Sequence, residues 1–176
     1  MEYVYIGKLV NTHGIKGEVR LYSDFEYKEL VFNNRLPLYL GKEKVQEKIK
    51  SYRKHKIYDM IIFENYNNIN DVLKYKGNKV YVKRKDLDVP YLDEEIIDFE
   101  VYDKRINKKI GNLTDIRKNK HQKLLIIDFK YIIPMIDEFV KKIDLKNKKI
   151  IVKTIRGMID ENWYINNISG NVWRSF

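Results

Sequence analysis

The chain has 176 residues, of which 44% are hydrophobic and 34% are charged, and it contains no cysteine. This length allows one medium domain or two small ones, and the absence of cysteine excludes disulfides and cysteine-based metal sites. Basic residues exceed acidic residues by ten, which favours a polyanionic partner, either nucleic acid or an anionic membrane surface. No apolar run is long enough to cross a bilayer and no signal peptide opens the chain, so we expect a cytoplasmic location.

The excess positive charge is concentrated in the first half of the chain. Residues 1–85 contain 18 basic and 10 acidic residues, a difference of eight, whereas residues 86–176 contain 17 and 15, a difference of two. A compositional bias towards Lys, Asn, Ile and Tyr is the alternative explanation of the charge, but it would spread the excess evenly. The first half is therefore predicted to face the polyanion.

Short strands dominate the first half. Alternating or apolar runs predict strands over residues 3–11, 18–22, 36–40, 44–56, 57–63 and 79–83. In the long strand over 44–56 we expect Val45, Ile49 and Tyr52 to point inward. Asn70 is the expected N-cap of a short helix that Gly77 ends.

A shift from basic to acidic residues around Pro90 predicts a linker over residues 86–95. Beyond it we predict strands over 99–102, 109–117, 124–129, 131–134 and 149–153, with one helical turn over 137–142. The predicted division is a first domain over 1–85, the linker over 86–95, a second domain over 96–162 and a tail over 163–176. Many short strands with few helices favour an all-β fold of barrels or sandwiches.

The turn THGIKG, over residues 12–17, connects the first two predicted strands. Gly14 and Gly17 can adopt positive φ angles and are predicted to shape the loop. A hairpin that exposes backbone N–H groups beside Lys16 and Arg20 would suit a phosphate. A tight turn with solvated charges is the alternative, because Gly-x-x-Gly alone is not a specific motif.

The basic segment KIKSYRKHK, over residues 48–56, is the second candidate for RNA contact. On one regular strand its lysines at 48, 50, 54 and 56 would share a face, with Tyr52 available for stacking. A lysine-rich edge strand that resists aggregation is the alternative. The predicted RNA-binding residues are Lys16, Arg20, Lys50, Arg53, Lys54 and Lys56.

No residue pattern points to catalysis. His13, His55 and His121 lie in three different segments without metal-ligand spacing, and no nucleophile elbow is present. The acidic cluster at 93–95 is interpreted as a solvated linker and not as a two-metal site. We therefore predict no catalytic residue, no metal and no cofactor.

Four blocks of sequence together resemble the RimM family of ribosome maturation factors. The first, IGKLVNTHGIKGEVRLYSD, is similar to the family's opening strand and its HGI[KR]G turn. The others, in the family's order, are SYRKHKIYDMIIFENYNNINDVLKYKGNKVYV, VYDKRINKKIGNLTDI and IIPMIDEFVKKIDLKNKKIIVKTIRGMID. The resemblance covers nearly the whole chain.

The resemblance implies two small β-barrel domains joined by a short linker. The first is similar to a barrel of translation elongation factors, and the second is a PRC barrel. It further implies a non-enzymatic factor that assists late assembly of the small ribosomal subunit head and processing of its rRNA. The implied partners are the immature small subunit, its 3′-domain rRNA and a head ribosomal protein, number nineteen in the usual naming. We expect a monomer that binds no membrane. An rRNA-processing enzyme and a PRC-barrel adaptor at a membrane are the alternatives.

The second domain departs from the family pattern. Family members often carry a Tyr-Tyr or Tyr-Trp pair after the linker, which is implicated in ribosome binding, whereas this chain has DEEIIDFEVY there. The predicted protein-binding residues are Tyr91, the nearest aromatic residue, with Ile132, Pro134 and Met135. The alternative is that this apolar segment belongs to the barrel core, as we expect of Ile133 and Phe139. The tail matches no family pattern.

Overall fold

The computed structural model describes residues 2–119 and 122–159, so His121 and the predicted tail lie outside the described residues. Two compact units divide between Val89 and Pro90, within the segment 86–95. The structure is nearly all strands, with 12% helix, which confirms the all-β prediction. Among the described residues, no helix has both the length and the apolarity that crossing a bilayer requires.

The first unit contains seven strands and two short α-helices. They are β1 Tyr3–His13, β2 Glu18–Tyr22, α1 Lys28–Asn33, β3 Leu38–Leu40, β4 Val45–Glu47, β5 Ile49–His55, β6 Tyr58–Phe63, α2 Ile69–Val72 and β7 Lys79–Lys83. The strand order in the sheet is β4-β3-β7-β1-β2-β6-β5. Only Lys48 separates β4 from β5, although these strands lie at opposite ends of that order. The sheet must therefore curl until its two edges approach each other, as in a barrel.

The core of the first unit collects the inward side chains of this sheet and two side chains of α1. Leu21, Phe32, Ile61, Phe63 and Val80 have at most 1% of their surface exposed. Burial of these apolar side chains is the main stabilising contribution to the barrel. A buried polar network ties α1 to the sheet. At its centre, the buried Asp59 carboxylate accepts a hydrogen bond from Lys28 Nζ on α1 over 3.0 Å. It accepts a second one from the Tyr52 hydroxyl on β5 over 2.9 Å.

The second unit contains six strands in one sheet. They are β8 Glu100–Asp103, β9 Lys108–Lys118, β10 Lys123–Ile127, β11 Tyr131–Pro134, β12 Val140–Asp144 and β13 Lys149–Val152. The order is β11-β10-β9-β8-β13-β12. The edge strands β11 and β12 are joined by only five residues, 135–139, so this sheet also curls towards closure. Asp103, which is buried, accepts hydrogen bonds from Thr154 Oγ1 over 2.5 Å and from the Arg105 backbone N–H over 2.9 Å.

The structure corrects several local predictions. α1 was not predicted. The strand expected over 44–56 is interrupted at Lys48, and Val45, expected to point inward, has 43% of its surface exposed. The N-cap of α2 is Asn68 and not Asn70, because the Asn68 side chain accepts the hydrogen bond from the Asn70 backbone N–H. The helical turn expected over 137–142 is wrong, since a turn over 137–139 leads directly into β12.

Candidate functional site

The turn between β1 and β2 is shaped by two glycines with left-handed backbones. Gly14 has a φ of +62° and Gly17 a φ of +76°, a region that other residues adopt at a cost. A Cβ atom on Gly17 would lie 3.1 Å from the carbonyl oxygen of Asn68, whereas one on Gly14 would meet nothing within 4 Å. Gly17 therefore allows a close approach of two backbones, and Gly14 contributes only its backbone conformation.

Contacts with α2 hold this turn in place. The backbone N–H of Ile69 donates to the carbonyl oxygen of Ile15 over 3.0 Å. Asn68 forms a reciprocal capping box with Asp71 at the start of α2, which stabilises the first helical turn. The cap of α2 thus packs against the turn and holds its backbone in place. The side chains of Ile15 and Lys16 remain exposed.

Arg20 is oriented by His13. Its Nη2 lies 2.7 Å from Nδ1 of His13, and because a guanidinium group has no acceptor, His13 accepts this hydrogen bond. Arg20 is half-buried, and its Nε atom is buried without a hydrogen-bond partner among the described residues. The predicted RNA contact of Arg20 is therefore limited to the exposed part of its guanidinium group.

The sheet register places Arg53 in the same cross-strand row as Arg20. Both residues are in register with Met60, one on each side of β6. Arg53 donates from Nε to Oε1 of Glu18 over 2.8 Å and from Nη2 to Oε2 over 2.6 Å. The hydrogen bond to Glu18 raises the pKa of Arg53. Glu18 therefore neutralises part of the positive charge on this surface.

These side chains surround a shallow hollow beside the turn. The hollow has a volume of about 390 Å³ and is lined by His13, Gly14, Ile15, Lys16, Glu18, Arg53 and Ile62. We call it the turn hollow. The structure thus brings Lys16 and Arg53, predicted from two distant segments, to one surface, and it places Arg20 beside them through its bond to His13. Sequence reasoning did not assign His13 and Glu18 to the site, although the alternation of GEVR places Glu18 and Arg20 on the same face.

The remaining predicted cations do not join this hollow. A β-bulge between Ile49 and Ser51 makes Lys50 the extra residue of β5, and Lys56 follows the strand with a φ of +57°. The single lysine face predicted for 48–56 is therefore wrong. Lys54 forms an ion pair with Glu29 of α1. Lys16, Lys50 and Lys56 are exposed and form no ion pair within the described part of the chain.

Tyr52 is not placed to stack on a base, and His13 and His55 do not belong to a metal site in the part of the chain that the structure describes. The Tyr52 ring packs on Phe32 with centroids 4.9 Å apart, and its hydroxyl donates to Asp59, so Tyr52 is engaged in the core of the unit. The rings of His13 and His55 lie 6.1 Å apart. Within residues 2–119 and 122–159, no group of three His, Asp or Glu side chains is arranged to hold a metal ion.

The second unit carries a separate groove where its two sheet edges approach each other. It has a volume of about 330 Å³ and is lined by Tyr91, Met135, Ile136, Asp137, Val140, Lys141, Lys142 and Ile143. We call it the edge groove. Two of the four predicted protein-binding residues, Tyr91 and Met135, lie in it together. The other two, Ile132 and Pro134, are half-buried on β11 and do not line it.

Five of the eight residues that line the edge groove are apolar or aromatic. Ile136 has 39% of its surface exposed, whereas Met135, Val140 and Ile143 pack partly against the core of the second unit. Ile133 is completely buried, and Phe139 packs against the core, as expected of both. Ile136, Val140 and Ile143 were not predicted as site residues. A local turn places Ile136 beside β12, because the backbone N–H groups of Phe139 and Val140 donate to the Ile136 carbonyl oxygen over 3.0 and 2.8 Å.

The fold and these surfaces define a class of protein with two successive small β-barrel units, of which the first carries a basic turn and the second an apolar groove between its edge strands. Family models match both units. Residues 4–87 match the RimM N-terminal domain, and residues 93–158 match the RimM PRC barrel domain. The chain belongs to the RimM family.

The relatives described next align with about half of this chain. The ribosome maturation factor RimM of Bacillus cereus strain G9842 is 38% identical over 86 residues, which covers 47% of this chain and 50% of the relative. RimM of Bacillus cytotoxicus is 41% identical over 86 residues with the same coverage. The chain spans about half the length of the relatives it matches.

Two solved structures are also similar. A 16S ribosomal RNA processing protein RimM from Pseudomonas aeruginosa has a TM-score of 0.47 and 19% identity, covering 88% of this chain and 98% of that one. The N-terminal domain of RimM from Thermus thermophilus has a TM-score of 0.44 and 16% identity, covering 52% of this chain and all of that domain.

Proposed function

We propose that this protein is a non-enzymatic ribosome maturation factor that binds the immature small ribosomal subunit in the cytoplasm. It assists late assembly of the subunit head and the processing of its rRNA, and it acts as a monomer. The observation that carries the proposal is the turn hollow. There the family's HGIKG turn, supported by the cap of α2, presents Lys16 beside Arg20 and Arg53 on one surface of the first unit.

The first unit is proposed to contact 3′-domain rRNA through this surface. Lysine and arginine bind phosphates with little dependence on base sequence, and each neutralised phosphate adds to the salt dependence of binding. The concentration of positive charge in residues 1–85 also supports an RNA contact by the first unit. Exposed Lys50 on the edge strand β5, and exposed Lys56 directly after it, extend the positive field beyond the hollow.

The second unit is proposed to bind the head ribosomal protein, number nineteen, through the edge groove. Tyr91, Met135 and Ile136 supply aromatic and apolar surface at one place, and such residues are enriched at the energetic centre of protein interfaces. Lys141 and Lys142 lie at the same groove. Since Tyr91 is the aromatic residue nearest to the position where family members often carry an aromatic pair, it is the anchor that we propose for this interface.

Sedimentation with precursor small subunits tests the proposed function. The full chain is expected to co-migrate with precursor subunits at low salt and to dissociate as salt rises. Lys16→Glu combined with Lys56→Glu should weaken this association, because both residues are exposed and unpaired in the described structure. Lys104→Glu combined with Lys146→Glu, two exposed residues of the second unit, makes the same change in charge and should have a smaller effect. A wild-type chain that ignores precursor subunits at low salt would refute the proposal.

A further inference from the structure

A second surface of the first unit combines tyrosines and lysines on strands away from the turn hollow. β1, β7 and β3 are adjacent strands, and their register aligns Tyr5 with Tyr81 and Tyr81 with Tyr39 in one cross-strand row. The neighbouring row aligns Tyr3 with Lys83. Directly opposed residues point to the same side of a sheet, so these side chains share one surface. We call it the tyrosine–lysine face, formed by Tyr3, Tyr5, Tyr39, Tyr81, Lys44, Lys79 and Lys83.

The rings and ammonium groups of this face are in direct contact. Tyr3 and Tyr39 meet edge to face with centroids 5.1 Å apart. Lys44 reaches over from the β3–β4 turn, with its Nζ 3.5 Å from the centroid of the Tyr81 ring. Lys83 lies over the Tyr39 ring with its Nζ 5.0 Å from the centroid. Cation–π contacts of this kind orient lysines along the face while leaving their charge in place.

The barrel core does not account for this face. The intervening residues of the same strands, Val4, Val80 and Val82, point the other way and are buried. On the face itself Tyr39 is also buried, whereas Tyr5 has 49% of its surface exposed. Cross-strand tyrosine pairs also stabilise a sheet, and that is the structural alternative. It explains neither the half-exposed ring of Tyr5 nor the position of Lys44, Lys79 and Lys83 over the rings of this face.

Positive charge continues beyond the face. At the end of β7, a hollow of about 410 Å³ is lined by Glu2, Lys83, Arg84 and Lys85, so Lys83 belongs to both surfaces. Tyr5 and His13 are eight residues apart on β1, a separation of roughly 26 Å along an extended strand. The face is therefore distinct from the turn hollow.

We propose that the tyrosine–lysine face binds single-stranded RNA, with one base stacked on the exposed ring of Tyr5, a second base replacing the Lys44 ammonium over Tyr81, and phosphates held by Lys79, Lys83 and Lys85. Exposed aromatic rings flanked by cations accept any base by stacking, and they are the usual means of binding single strands on a sheet surface. A duplex hides the faces of its bases and offers only its phosphates. The inference rests on the proposed function for the source of the RNA, but the site and the kind of RNA are additional to it.

Fluorescence anisotropy with the full chain tests the face directly. The probe is a fluorescein-labelled 12-nucleotide RNA of mixed sequence, used as a single strand and annealed to its complement. Tyr5→Ala combined with Tyr81→Ala should weaken single-strand binding about tenfold or more and change duplex binding little. Tyr5→Phe combined with Tyr81→Phe keeps both rings and should bind the single strand as the wild type does. Phe129→Ala, at an exposed aromatic residue of the second unit, is the matched control and should have no effect.

Several outcomes would overturn the inference. These are a wild-type chain that does not bind the single strand, an alanine variant that binds it normally, and an equal loss for strand and duplex. Binding to phosphatidylglycerol vesicles in place of RNA, lost in the same variant, would assign the face to a membrane instead. If the double alanine variant loses its strand-type circular dichroism, Tyr5→Ala alone and Lys79→Gln, both at exposed positions, carry the test.

The inference and the proposed function fail separately. If the wild type binds precursor subunits but the tyrosine variant retains its affinity for the single strand, only the inference is wrong. If the chain binds the single strand through this face but ignores precursor subunits, only the proposed function is wrong.

Discussion

Glu18 and Arg53 form a bidentate ion pair across the intervening strand β6, although 35 residues separate them in sequence. The pair lies at the turn hollow and offsets one of its positive charges. Because Arg53 is exposed, the pair contributes little to stability. Its main effect is to lower the positive potential of the hollow, where we propose that phosphate binds.

Removing the Glu18 charge should therefore strengthen RNA binding. Glu18→Gln leaves Arg53 with a neutral neighbour, and we expect affinity for precursor small subunits to rise severalfold, with the slope of log affinity against log salt steeper by about one. Filter binding over a salt series measures both quantities. The control is Glu100→Gln, which removes the partner of Lys109 in the second unit and should leave the slope unchanged. An unchanged slope in Glu18→Gln would exclude Arg53 from the contact.

Arg20 and Lys16 should respond differently to charge reversal. Arg20 is half-buried and bonded to His13, and Arg20→Glu places a carboxylate beside Glu18, so the free energy of unfolding should fall by about 2 kcal/mol. Lys16 is exposed, and Lys16→Glu should stay within about 0.5 kcal/mol of the wild type. Urea denaturation followed by circular dichroism makes the comparison. Equal stability of the two variants would contradict the half-buried position of Arg20.

Alanine substitutions at Gly14 and Gly17 separate the cost of backbone strain from the cost of a close steric contact. Alanine at either position must adopt a positive φ, which costs about 1 kcal/mol. Gly17→Ala also brings a Cβ atom to 3.1 Å from the Asn68 carbonyl oxygen, so its total cost should be about 2 kcal/mol. Thermal unfolding of both variants tests the difference. If Gly14→Ala proves the more damaging, the turn does not rest on α2 as described.

An acidic residue in the edge groove should weaken binding of the head ribosomal protein. Ile136 has 39% of its surface exposed, and Ile136→Glu puts a charge into the apolar surface, so affinity should fall about tenfold or more. Isothermal titration calorimetry with the purified ribosomal protein gives the dissociation constant. Leu145→Glu is the matched control, because Leu145 is 43% exposed and lies outside the groove. A normal affinity for Ile136→Glu would remove the groove from this interface.

Local patterns were sufficient for most strands. The alternation of Glu18 to Tyr22 predicted β2 with its observed bounds, and the apolar run that ends at Phe63 predicted β6 within one residue. Patterns failed where tertiary contacts decided the outcome. The residues of α1 form a helix that packs Val31 and Phe32 into the core, and the Lys44–Lys56 run looked continuous because nothing local marks the interruption at Lys48.

The sequence by itself determined the all-β class, the two glycines of the HGIKG turn and the family, because alternation, glycine placement and motif order are properties of neighbouring residues. Only the tertiary structure decided which cations stand together. The register across β6 aligns Arg20 with Arg53, the Ile49–Ser51 bulge displaces Lys50, and the folding of the second unit brings Tyr91 to the same groove as Met135. Register, bulges and sheet closure depend on pairings between distant segments, which no short window of sequence contains.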